Sequence, residues 1–142
     1  MASTLGGRDV VASVRRRSLR FLTAAVTAAV AALYVAVFLV QLPHLHELDN
    51  PAPVYAALAA VYAVGAVLVA LRDQQALLWT GATVQVVLLT LFFWLLAGLY
   101  AHGEESFILD MLGLAIGINA AQVVLLGLLS YLAGSAPRQR AA

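Results

Sequence analysis

Cysteine and lysine are both missing from this chain, and each absence removes a class of chemistry. Without cysteine there is no disulfide, thiolate metal site, thiol redox reaction or cysteine palmitoylation. The redox poise of the compartment therefore leaves no trace in the sequence. Without lysine there is no Schiff base, retinal-type or otherwise. Charge is scarce as well: 11% of the 142 residues are charged, against about 25% in an ordinary soluble domain. No Ser-His-Asp order, phosphate-binding glycine loop or H-E-x-x-H occurs, so the common soluble-enzyme chemistries lack their residues.

What fills the chain is apolar: 63% of it is hydrophobic, with a mean hydropathy of +0.94. From Gln74 to Ala101 there is no charged side chain. A helix needs about 20 mostly apolar residues to cross the hydrocarbon of a bilayer. This run exceeds that length, and Trp79, Trp94 and Tyr100 suit the two interfaces. Three similar runs predict an all-α, polytopic membrane protein with helices at about 21–43, 50–71, 75–101 and 107–133. Residues 1–20 read as a basic segment and 134–142 as a short tail, leaving one compact unit and no separate soluble domain. Arginine as the sole cationic side chain, with abundant alanine and valine, suggests a GC-rich genome.

The stretch Arg15-Arg16-Arg17-Ser18-Leu19-Arg20 partly resembles a twin-arginine export signal. The apolar run after it is longer than the roughly 7–15 residues of a signal h-region. An uncleaved first helix is the expectation, with Arg15, Arg16, Arg17 and Arg20 anchored at the membrane surface. Each basic side chain near anionic headgroups is worth about 1 kcal/mol. Their place beside a membrane helix points to lipid and away from nucleic acid. Pro51 and Pro53 suit the start of the second helix, where a missing N–H costs nothing.

All eight arginines fall on one side of a four-crossing layout. Glu47, Asp49, Glu104, Glu105, Asp110 and the three histidines fall on the other. The positive-inside rule then places both termini in the cytoplasm, in a bacterial cytoplasmic membrane.

In lipid, helices associate through small residues and interhelical hydrogen bonds. The fourth run carries Gly113-Leu-Ala-Ile-Gly117 with Ala121 on the same face; the second carries Ala59, Ala63, Ala66 and Ala70. Gln85, Asn119 and Gln122 lie deep in apolar runs, and Gln85 and Gln122 share a similar depth. A Gln85–Gln122 or Gln85–Asn119 hydrogen bond is expected; a polar path for ions or protons is the alternative reading. Sliding His44 onto His102 also lays Tyr34 on Phe92 and Leu68 on Leu126, the pattern of two helical-hairpin repeats.

The densest polar constellation joins two turns: His44, His46, Glu47 and Asp49 with His102, Glu104, Glu105 and Asp110. Imidazoles and carboxylates are ligands for transition metals such as zinc, copper or iron. Haem between His44 or His46 and His102 is less well suited, because those histidines sit at turn level. The plainer reading is a solvated rim in which acids collect opposite the arginines. Asp110 reads as a carboxylate favoured at a helix N-terminus, or as a proton carrier within a span.

The pattern of His44 to Glu47, Pro53-Val54-Tyr55, Gly65-Ala66, the Arg72 turn, Leu78-Trp79-Thr80-Gly81 and Asp110-x-x-Gly113 resembles small four-helix integral membrane proteins of high-GC actinobacteria. The resemblance spans about Leu33 to Leu132 and implies fold and location, with no function attached. Three functions stay open: an accessory or structural protein packing with itself or a larger membrane complex, an outer-face metal- or haem-binding module, and a small oligomeric transporter.

Overall fold

The computed structural model describes residues 3–44, 51–101 and 105–135. It contains four α-helices: α1 Ser3–Gln41, α2 Ala52–Leu71, α3 Gln75–Ala101 and α4 Glu105–Gly134. A single 3-10 turn, Leu42–His44, follows α1. No strand occurs among the described residues. Each helix contains a stretch long and apolar enough to cross a bilayer: Val10–Gln41, Ala52–Leu71, Gln75–Gly98 and Gly113–Gly134.

Local chemistry explains most of the boundaries. Pro53 lies in the first turn of α2, where its missing N–H breaks no ladder bond, and Val54 and Tyr55 donate to the Pro51 carbonyl. At the other end Arg72 turns extended while its N–H still reaches the Leu68 carbonyl at 2.8 Å, which closes the last turn. Only residues 72–74 separate α2 from α3, so the chain reverses sharply there. α1 departs from expectation by starting at Ser3, well ahead of the apolar run. Nothing between Ser3 and Phe21 stops it: there is no proline, and alanine, leucine and arginine are strong helix formers. The helix is therefore roughly 60 Å long, about twice the hydrocarbon thickness of a bilayer.

α1 packs against α2 and α4, and α4 packs against α3, whereas α2 and α3 scarcely touch. Taken round the bundle the order is α2, α1, α4, α3, with a seam left between the first and last. The first half of α1 and the last turn of α4 meet at one end of this bundle, because Arg16 bonds to Leu132 and Ser135 at the finish of α4. The interior is filled by Val30 and Tyr34 of α1, Tyr62 and Val69 of α2, Leu78 and Ala82 of α3, and Leu125, Leu129 and Leu132 of α4. The outside is equally apolar, with Val61, Val87, Trp94 and Val123 exposed, as suits a surface solvated by lipid chains.

Glycine marks two close approaches. A Cβ on Gly65 of α2 would stand 3.7 Å from Thr27 Cγ2 of α1. One on Gly81 of α3 would meet Leu129 Cδ1 of α4 at 3.2 Å, so the neighbour would have to yield. For the glycine pair of α4, a Cβ on Gly113 or Gly117 would meet no atom of the described residues within 4 Å. Ala121 is half-buried against the core. Among the small residues of α2, Ala59 and Ala66 are buried, Ala70 is partly so, and Ala63 is exposed.

Candidate functional site

Two polar assemblies stand out in this apolar bundle, one at mid-depth and one at the end that carries the termini. The first links all four helices. Gln122 Nε2 on α4 donates to Tyr34 Oη on α1 and to Tyr62 Oη on α2, each at 2.9 Å. Tyr62 Oη donates onward to Gln85 Oε1 on α3, also at 2.9 Å. The rings of Tyr34 and Tyr62 stack with centroids 5.5 Å apart, and Tyr55 lies 6.4 Å from Tyr34 on its other flank. Gln85 and Gln122 are 4% and 2% exposed, so these bonds are shielded from competing water and lipid.

Gln85 and Gln122 thus meet at the same depth, but through the Tyr62 hydroxyl and not directly. The Gln85–Asn119 alternative is not formed. Asn119 Nδ2 turns back to the Ala115 carbonyl of its own helix at 2.7 Å, and its Oδ1 is buried without a partner. The bridging tyrosines carry a signal that sequence reasoning passed over. Tyrosine in membrane helices favours the interfaces, yet Tyr34 and Tyr62 sit in the middle of their apolar runs. A buried tyrosine hydroxyl needs a partner. The network thus fixes how the four helices are oriented against one another.

The second assembly surrounds Asp73 in the short turn between α2 and α3. Arg16 grips it with two bonds of 2.8 Å, Nε to Oδ2 and Nη2 to Oδ1. Its remaining Nη1 donates to the Leu132 carbonyl at 3.2 Å and Ser135 Oγ at 3.1 Å. Arg20 donates to the Ala70 carbonyl at 3.1 Å and approaches Asp73 Oδ2 at 3.7 Å, with its own Nε buried and unpartnered. Gln75 Nε2 adds a bond to the Ala133 carbonyl at 3.2 Å. The Arg16 hydrogen bonds hold the Asp73 carboxyl below the usual aspartate range, with burial opposing them.

The four arginines expected to anchor at the membrane surface therefore divide. Arg15 and Arg17 are exposed, and the Arg17 guanidinium lies 5.8 Å from the Phe21 ring centroid. Arg16 and Arg20 are half-buried and turn inward to clamp the helix ends. The reason lies on the helix: Arg16 and Arg20 are four residues apart and share a face, whereas Arg15 and Arg17 point away from it.

Of the proposed metal or haem ligands, His46, Glu47, His102 and Glu104 lie outside the described residues, as do the side chains of His44, Glu105 and Asp110. Among the described residues no group of three or more histidine, aspartate or glutamate side chains could hold a metal ion, so metal binding gains no support. Comparisons of the chain with protein-family models, with curated proteins and with solved structures give no match.

Proposed function

We propose that the protein is a small multi-pass membrane accessory or structural subunit that packs with itself or with a larger membrane complex. One observation carries this reading. The G-x-x-x-G surface of α4 lets a second backbone approach closely, yet among the described residues nothing would lie within 4 Å of a Cβ on Gly113 or Gly117. The two polar assemblies support it further, because both bind the four helices to each other.

Gly117→Leu tests the reading with a clean separation of effects. Since a Cβ on Gly117 meets nothing within 4 Å among the described residues, the substitution is expected to alter monomer stability by no more than about 0.5 kcal/mol. It should nevertheless block association. The wild type, extracted from membranes in mild detergent, is expected to run as a larger particle and the variant as a monomer. Equal sizes would rule this reading out.

The location proposed is a bacterial cytoplasmic membrane with both termini inside, as the placement of the arginines favours. The likeness to small actinobacterial four-helix proteins belongs to the same proposal. Because the chain has no cysteine, single cysteines at Ser3, Asn50, Ser106 and Ser135 report topology directly. Only those replacing Asn50 and Ser106 should react with an impermeant maleimide in intact cells. Labelling at Ser3 or Ser135 would invert the orientation.

A further inference from the structure

The seam between α2 and α3 widens into a groove of about 430 Å³ that opens sideways from the bundle. Its volume lies within the roughly 300–1,000 Å³ of small-molecule sites. The walls are almost wholly apolar, and Gly65 and Gly81 keep the floor low on either side. Four polar side chains reach the lining: Thr27, Tyr62, Thr80 and Gln85. Three are already committed inside the chain. Thr27 and Thr80 donate to the carbonyls of Thr23 and Ala76, one turn back on their own helices. Tyr62 Oη accepts from Gln122 and donates to Gln85.

Gln85 differs. Its Oε1 is occupied by Tyr62, whereas its Nε2 donates to no acceptor among the described residues; that nitrogen is not fully enclosed, so in a residue only 4% exposed it keeps a little access at the groove the residue lines. Among these four side chains the donor left without an acceptor is therefore the Gln85 amide N–H. Leaving such a donor unpaired in an apolar setting is costly. The fitting occupant has an apolar body and a hydrogen-bond acceptor.

Depth narrows the class. Gln85 lies ten residues beyond Gln75 at the start of α3, or roughly 15 Å along the helix, near the middle of a hydrocarbon layer about 30 Å thick. The ester carbonyls of phospholipids are held at the headgroup level and do not reach that depth. A neutral carbonyl compound dissolved in the hydrocarbon does.

We infer that the α2–α3 groove is a lateral binding site for a lipid-soluble carbonyl compound of the chain-bearing quinone type, with its carbonyl accepting from Gln85 Nε2. The apolar chain lies along the walls between Gly65 and Gly81, and the Tyr62 hydroxyl holds the Gln85 amide with its nitrogen toward the groove. This site is separate from the α4 glycine surface, so failure of one proposal leaves the other standing.

The test is equilibrium binding of a radiolabelled decyl-substituted benzoquinone to the full chain in phospholipid nanodiscs, against empty nanodiscs. The expected result is one saturable site per chain. Decylbenzene, which keeps the chain and lacks the carbonyls, should compete at least tenfold more weakly than unlabelled quinone. Gln85→Leu should weaken quinone binding at least tenfold. Val61→Trp, at a position that lines the groove but is 58% exposed and outside the core, should block binding with the fold intact. The proposal is overturned by quinone uptake that never saturates above empty nanodiscs, by equal competition from decylbenzene, or by wild-type affinity in Val61→Trp. The decylbenzene and Val61→Trp arms decide the matter even where Gln85→Leu loosens the bundle.

Discussion

Arg16→Ala is expected to lower the stability of the bundle by about 2 kcal/mol, read as a fall in melting temperature in mild detergent. Hydrogen bonds to charged groups contribute about 1.5–3 kcal/mol each in sheltered settings, and partial exposure of this pair reduces that figure. The Arg16 and Asp73 side chains keep 17% and 31% of their surface accessible. Four bonds leave with the guanidinium, and they reach both the α2–α3 turn and the last turn of α4. Arg20 stays near Asp73 at 3.7 Å, too far for a good hydrogen bond, so it replaces little of the loss. In a double-mutant cycle, Arg16→Ala and Asp73→Ala together should cost clearly less than the sum of the two. Strict additivity would show that the pair is uncoupled.

The same contact predicts an acid signature. Hydrogen bonds from Arg16 depress the Asp73 pKa in the folded protein. Its stabilisation is complete above the unfolded aspartate value, about 3.9, and is lost as pH falls through the lower folded value. The wild-type melting temperature should therefore drop as pH is taken below about 4. Arg16→Ala should show a smaller drop over the same interval, because the largest cause of the Asp73 depression, the Arg16 hydrogen bonds, is then gone.

Gln122→Leu strikes the other assembly and should cost about 2–3 kcal/mol. Interhelical hydrogen bonds in membranes contribute about 0.6 kcal/mol on average and up to about 1.7. Buried polar groups left unpaired add roughly 1–3 kcal/mol. The substitution removes two bonds at once, leaving the Tyr34 hydroxyl and one side of Tyr62 without their donor. Tyr62→Phe should cost less, because Gln122 can still donate to Tyr34. Tyr34→Phe should cost least, since that hydroxyl takes part in one of the three bonds. Near-zero losses across the series would mean that the network does not hold the bundle.

The four helices were legible because apolar length is a direct reading of bilayer thickness. The third was expected at 75–101 and is found at Gln75–Ala101; the second and fourth differ by a residue or two at their ends. The start of α1 was not legible, since hydropathy marks where a chain enters lipid and is silent on where helical backbone begins. Gln85 and Gln122 were legible as buried polar groups at one depth. Their link through Tyr62 was not, because it depends on how α2 is rotated about its axis. The clamp was hidden for a related reason. Counting arginines by side treats them as equivalent, whereas the helical face decides that Arg16 meets Asp73 and Arg17 does not. A G-x-x-x-G spacing, likewise, identifies a surface that admits close contact but not the chain that supplies it.

The pairing of helices sets a timetable for synthesis. The broad contacts join α1 to α2 and α3 to α4, while α2 and α3, consecutive in the chain, scarcely meet. The first hairpin can thus complete its own interface in the bilayer before the ribosome has made the second. Nothing in the later pair is needed for the Tyr34–Tyr62 stack or for the fit of Gly65 against Thr27. At mid-depth Gln122 and Gln85, both of the second hairpin, then supply the hydrogen bonds that join the halves. A chain with only its first hairpin in the bilayer would carry the Tyr34 and Tyr62 hydroxyls without the amides that pair with them in the finished bundle.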